Sequence, residues 1–250
     1  MKTLWDYTDL AEAYLKRPDY SEMAIDQALS FAKLSPQALV CDVGAGVGHL
    51  TRMLLGRGYS LVAVEPNDEM RRLGIETTRT FQNVSWFEGT GEATGQAENQ
   101  FDLVSFGSSF NVVDRQKALI ETARILRPFG WFMCLWNHRD LDDPLQASVE
   151  TLIKNYLPDY SLGSRREDQT QVIMSSMLFL SPRLIEGRIM HRMLVDDWIM
   201  AWRSHATLAR QAGHRFADII KSIAELVRGQ VSVDIPYTTR LWIAQLSSKS

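Results

Sequence analysis

The chain has 250 residues, a formal net charge of −3, 45% hydrophobic residues and 2 cysteines. That is enough apolar material for one large α/β domain around a single core, and no stretch approaches the roughly 18 to 20 apolar residues that a membrane span requires. Without a long Lys/Arg block the chain also lacks the charge needed to track phosphates, which sets nucleic acid aside as a partner.

The opening Met1-Lys2-Thr3-Leu4-Trp5-Asp6 has no apolar run of the signal-peptide kind, so a cytoplasmic location is expected. Residues 6–34 carry apolar side chains at helical spacing (Leu10 and Tyr14, then Ile25 and Leu29), broken at Arg17-Pro18. Two helices meeting at a proline are expected there. The pattern then alternates. Ala38 to Val43 reads as a buried strand, Leu50 to Leu55 as a helix, Leu61 to Val64 as a strand and residues 68–78 as a helix. Val84 to Phe87 and Phe101 to Phe106 read as two more strands, residues 114–126 as a helix and Gly130 to Trp136 as a fifth strand. Short apolar strands alternating with helices predict a doubly wound, mainly parallel α/β sheet with helices on both faces. Cys41 and Cys134 both fall inside these strands and read as small core residues, not as a disulfide or a metal pair.

Residues 140–181 interrupt the rhythm with charge, Tyr and Pro, and read as an inserted cap. Strand character returns over Ile189 to Val195 and Val231 to Ile243. The expected organisation is N-terminal helices and a cofactor-binding core over 1–139, a cap over 140–181, and the rest of the core over 182–250.

Asp42-Val43-Gly44-Ala45-Gly46-Val47-Gly48 follows the first strand and opens a helix. A ligand reaches backbone closely at such a point only where side chains are missing. Glu65 closes the second strand about twenty residues later, where a carboxylate can accept hydrogen bonds from both ribose hydroxyls of an adenosine. The dinucleotide fingerprint requires a further glycine at the position held by His49. The loop therefore suits S-adenosylmethionine better than NAD.

Asp42 to Gly48, Val64-Glu65-Pro66, Gly89 to Gly95, Phe101-Asp102-Leu103-Val104 and Leu126 to Trp131 together resemble the class I methyltransferases, in the branch of trans-aconitate methyltransferase-like enzymes. The resemblance implies a Rossmann-like seven-stranded sheet with an inserted helical cap and S-adenosylmethionine as cofactor. It implies that Asp42, Gly44, Ala45, Gly46, Glu65 and Pro66 line the cofactor site, that Gly91, Glu92 and Ala93 lie along the adenine, and that Ser105 to Ser108 pass beneath the cofactor. Tyr14 and Arg17, with Ala13, Lys16 and Pro18 around them, match the family's Tyr-x-x-x-Arg-Pro helix and would close over the methionine carboxylate. Ser108-Ser109-Phe110-Asn111-Val112 departs from the family's Gln-Ala-Phe-His-Trp, and no Asp/Asn-Pro-Pro-aromatic motif of nucleobase methylation is present.

Ligands of open α/β sheets sit beyond the carboxyl ends of the strands, which places the acceptor near Asn111, His138 and the cap. His138 is the expected general base or acceptor clamp, with His205 as the second candidate and Asn111 beside them. Tyr156, Tyr160, Arg165, Arg166 and Arg203 are the expected substrate contacts, a set that suits a small anionic or polar molecule. No metal is expected. The expected activity is methylation of a small, acidic or polar metabolite, on oxygen or carbon, by a monomer or homodimer. The alternatives are a small-amine N-methyltransferase, a nicotinamide-dependent dehydrogenase on the same architecture, and an inactive methyltransferase-like binding protein.

Overall fold

The computed structural model describes residue 8, residues 11–161 and residues 166–247. The chain opens with a short helix α1 (Ala11–Tyr14) and then α2 (Glu22–Phe31), capped by Ser21, whose hydroxyl accepts from the Ala24 N–H. The alternating part follows as β1 (Leu39–Val43), α3 (His49–Leu55), β2 (Ser60–Val64), α4 (Asp68–Thr78), β3 (Val84–Phe87), β4 (Phe101–Gly107), α5 (Arg115–Ile125) and β5 (Leu126–Arg139). The remainder is α6 (Pro144–Tyr156), α7 (Thr170–Ser175), β6 (Arg183–Leu194), α8 (Val195–Arg203), α9 (Ala206–Ala212), α10 (Phe216–Leu226) and β7 (Ser232–Gln245).

The seven strands form one sheet in the order β3-β2-β1-β4-β5-β7-β6. The first five are parallel, while β7 runs antiparallel between β5 and β6. This is the doubly wound sheet read from the sequence. Because side chains alternate along a strand, β1 sends Cys41 and Val43 to one face and Val40 to the other, and β4 does the same with Val104 and Leu103. Helices α5 and α7 cover the first face through Ala118, Leu119, Ala123 and Ile173. Helices α2 and α3 cover the second through Ile25, Ala28, Leu50 and Leu54. The chain order reverses across β1 and β4, and the crevice at their carboxyl ends is where such sheets hold ligands.

Three boundaries differ from expectation. Strand β5 runs on to Arg139, because β7 pairs with it through Arg139↔Tyr237. Strand β6 begins at Arg183, six residues before the apolar Ile189; its polar Arg183, Glu186 and Arg188 suit a strand at the sheet edge. The third concerns the cap. Beyond the end of β5 the β6–β7 ribbon continues to Leu194↔Ser232, and its Met193, Val233 and Ile235 seed a separate apolar cluster with α6, α8, α9 and α10. Helix α7, by contrast, packs on α5. The cap is thus assembled from α6 and the helices at 195–226, whereas the sequence grouped α6 with α7. Among the described residues no helix is long and apolar enough to cross a membrane.

Candidate active site

The carboxyl ends of β1, β2 and β4 open onto a cavity of about 520 Å³, roofed by the N-terminal segment and the cap. Its floor is the glycine loop. Gly44 and Gly46 both adopt positive φ, at 66° and 59°, a region that side-chain-bearing residues rarely enter. They differ in what surrounds them. A Cβ on Gly44 would sit 2.5 Å from Ser109 Cβ, so that glycine is needed for packing, with Ser109 donating to the Val43 carbonyl at 2.6 Å. A Cβ on Gly46 would meet no atom within 4 Å, so the missing side chain leaves space for a ligand.

Glu65 fixes this loop. Its Oε2 accepts from the Gly46 N–H and its Oε1 from the Asn67 N–H, both at 2.9 Å. Burial raises its pKa, and the two N–H donors together with Arg71 oppose that rise. Each oxygen keeps a lone pair for a further donor.

Asp42 lies fully buried beneath the loop. It accepts from Thr51 Oγ1 at 2.7 Å and from Ser105 Oγ at 3.0 Å. Burial pushes its carboxyl from 3.8 up to about 7; the two hydroxyls pull the other way, and Glu65 adds to the rise. Ser105 therefore supports Asp42 and does not line the cavity, a correction to its expected place beneath the cofactor. Ser108 does line it, held at φ 59° with its N–H on the Leu135 carbonyl and its hydroxyl 2.9 Å from Tyr20 OH. Burial raises the Tyr20 phenol well above its ordinary value, so it stays a hydroxyl.

The N-terminal segment closes the loop side. Tyr14 and Arg17 line the cavity, with the Arg17 guanidinium carbon 3.6 Å from the Tyr14 ring centroid. Arg17 also donates from Nη2 to the Ser204 carbonyl at 2.9 Å, which ties this segment to the end of α8. His49 holds it from below: Nε2 donates to the Tyr14 carbonyl at 2.8 Å, and Nδ1 faces Asp19 at 2.7 Å. The side chain in the place of a dinucleotide loop's further glycine is thus a strut for the roof.

Pro66, Ala45, Gly91 and Glu92 also face the cavity, with the Glu92 carboxylate accepting from the Asp114 N–H at 2.7 Å. Ala93 is exposed and outside it; the turn in which it bonds Thr90 aims it at solvent.

The cap end is walled by Asn111, Val112, Trp136, Arg139, Trp198, Trp202, His205 and Tyr237. Asn111 accepts from Trp136 Nε1 at 2.8 Å, which anchors it. His205 stacks on Trp202 (centroids 5.3 Å, planes 14° apart), and its Nδ1 accepts from the Leu208 N–H at 3.2 Å, capping α9. In the neutral ring that bond leaves the proton on Nε2.

Several expected substrate residues fall elsewhere. His138 lies within β5, not in a loop after it, and is buried between the cavity-lining Asn137 and Arg139 without lining the cavity. Tyr156 is bonded to Ser222 Oγ at 2.9 Å outside the cavity, and Tyr160 packs in the cap core. Arg203 is exposed, because Trp198 and Trp202, four apart, take the inward face of α8. Arg166 lies behind Arg139, and Arg165 lies outside the described residues. The sequence reading missed Tyr20, Ser109, Arg139, Trp198 and Trp202. For the two tryptophans, i,i+4 spacing next to His205 was an available signal.

Residues 41–134 match the family described as a methyltransferase domain. The chain is similar to an uncharacterized methyltransferase of Mycobacterium bovis, 39% identical over 124 residues that make up 50% of this chain and 48% of the relative. It is also similar to a ubiquinone/menaquinone biosynthesis C-methyltransferase of Klebsiella pneumoniae, 32% identical over 48% of this chain and 50% of that one. The matches thus span about half the length of these curated relatives. Among solved structures, the YcgJ protein of Bacillus subtilis superposes with a TM-score of 0.58 at 17% identity, covering 91% of this chain and 99% of that one. A geranyl diphosphate methyltransferase solved with S-adenosylmethionine superposes at 0.50 and 15% identity, covering 90% and 85%. At these identities the superpositions speak to the fold.

Proposed function

We propose that this chain, a member of the class I methyltransferases, transfers the methyl group of S-adenosylmethionine to a small molecule held between the glycine loop and the cap. The observation that carries the reading is the pairing of Glu65 with Gly46. A buried carboxylate anchors the one loop glycine whose side-chain direction is open cavity, a combination that suits an adenosine ribose. The cofactor supplies an electrophilic methyl on a sulfonium sulfur. Glu65 would receive the ribose hydroxyls. Arg17, which among the described residues donates to a carbonyl and a hydroxyl and not to a carboxylate, would take the amino-acid carboxylate.

What remains for the protein is alignment and exclusion of water. The cap end supplies both through Trp198, Trp202 and Tyr237. Its lining holds no carboxylate among the described residues, and the Nδ1 of His205 is taken up by the Leu208 N–H. An amine acceptor would arrive as an ammonium and need a base. An oxygen that is already ionised, or a carbon made nucleophilic by an adjacent enolate, would not. This favours O- or C-methylation of an acidic or polar molecule over N-methylation.

The test is incubation with methyl-labelled S-adenosylmethionine and a metabolite extract, read by mass spectrometry. One or more small molecules heavier by one labelled methyl are expected; a complete absence of labelled product across extracts would overturn the reading.

A further inference from the structure

The cap end of the cavity holds positive charge that alignment of a neutral acceptor does not require. Arg139, the last residue of β5, lines the cavity although it is only 8% exposed. Its Nη2 donates to Glu150 Oε2 at 3.0 Å and its Nη1 to Gln146 Oε1 at 3.3 Å, both on α6. The guanidinium carbon lies 4.7 Å from the Trp202 ring centroid. Arg166 comes in from behind, its Nη2 donating to the Arg139 carbonyl at 2.8 Å.

These cations are not balanced. Arg166 has no carboxylate partner of its own among the described residues, and burial together with the charge of Arg139 lowers its pKa while Glu150 works against that. The two guanidiniums therefore share Glu150, which also faces the exposed Lys154 at 3.5 Å. Polar groups packed behind this wall are in excess as well: Arg139 Nε, Gln146 Nε2 and Arg166 Nε are buried without an acceptor among the described residues. A native fold rarely leaves one such group unexplained, and here three cluster beside one cavity wall.

What complements surplus donors and a surplus positive charge is a group that only accepts and is negatively charged. We propose that Arg139 is the recognition residue for a carboxylate on the methyl acceptor, with Arg166 supplying further positive field. Of the buried groups, two guanidiniums against one carboxylate leave one positive charge, Lys154 being exposed and solvated, and one charge matches a monoanion better than a phosphate dianion. The flat walls of Trp198, Trp202 and Tyr237 beside it suit an aromatic or conjugated body. The acceptor class is therefore a small planar carboxylic acid. Its being a methyl acceptor rests on the methyltransferase reading; the anion site does not.

The test uses matched acids and amides of one shape: benzoate with benzamide, cinnamate with cinnamamide, and indole-3-acetate with indole-3-acetamide. Each is titrated by ligand-observed NMR on protein saturated with S-adenosylhomocysteine. The acids should bind the wild type better than their amides by about tenfold or more, the scale of one charge-assisted hydrogen bond. Arg139→Met is made together with Glu150→Gln, so that no buried carboxylate is left alone. This variant should lose the preference for acids while still binding S-adenosylhomocysteine, which shows that it is folded. Equal binding of acids and amides, failure of all three acids to bind, or a preference that survives in the double variant would each overturn the proposal. If S-adenosylhomocysteine itself does not bind, the methyltransferase reading fails instead, and the same titrations on ligand-free protein still decide the anion site.

Discussion

Asp42 gives the most specific stability prediction. Its carboxyl is fully buried, and burial carries it from 3.8 up to about 7. A carboxylate whose pKa is higher in the folded than in the unfolded chain stabilises the fold only while protonated. That contribution is complete below about pH 4, falls as pH rises towards 7, and is absent above it. The shift is about three pH units, so at 1.36 kcal/mol per unit the loss amounts to about 4 kcal/mol as an upper figure. Asp42→Asn keeps the shape and a carbonyl oxygen for one of the two hydroxyls, which donate to different oxygens of Asp42, while the other hydroxyl must turn to accept from the amide N–H; the variant cannot ionise. Urea unfolding without ligand, at intervals from about pH 5 to pH 8, should show the variant gaining on the wild type by about 2 kcal/mol between pH 5 and 7, with little change beyond. The difference between the two profiles cancels the other titrating groups. Parallel profiles, or a wild type that gains on the variant with rising pH, would show that Asp42 is not the protonated, buried acid that its surroundings imply.

Other outcomes follow from the geometry. Gly44→Ala should lower stability by about 1–3 kcal/mol through its collision with Ser109, whereas Gly46→Ala should cost only the roughly 1 kcal/mol of a positive φ. Gly46→Ala should nevertheless abolish tight S-adenosylhomocysteine binding, so denaturation and calorimetry will rank the two variants in opposite orders. Arg17→Met, which keeps the apolar stem but loses the bond to Ser204, should raise the KM for S-adenosylmethionine with a smaller change in kcat. His138→Gln should leave turnover nearly unchanged because the ring does not reach the cavity, while His205→Gln should raise the KM for the acceptor; steady-state kinetics with the product-forming substrate separates them.

The glycine-loop half of the cavity was legible because its determinants are local in sequence. A strand, a run of small residues and a carboxylate at the end of the next strand are fixed by backbone geometry, and Asp42, Gly46 and Glu65 stand where that logic puts them. The sheet was legible for the same reason: periods of apolar residues mark strands and helices whatever surrounds them. The acceptor half was not. Whether His138 or its neighbours face the cavity depends on where β5 stops, and β5 stops where its partner β7 allows, about a hundred residues further along the chain. Whether Arg139 or Arg203 is the buried cation depends on the rotation of α8 and the placement of α6, both set by packing in the cap. Composition showed that arginines were available there; only tertiary contacts select which one.

What occupies the glycine loop decides the function most directly. Isothermal calorimetry of the purified protein with S-adenosylhomocysteine and, separately, with NAD reads this in one pair of titrations. Saturable one-site binding of S-adenosylhomocysteine is expected, weakened by about 1.5–3 kcal/mol in Glu65→Ala as for hydrogen bonds to a charged group, with no measurable heat from NAD. Tight binding of NAD with none of S-adenosylhomocysteine, or a Glu65→Ala variant with unchanged affinity, would contradict the methyltransferase reading.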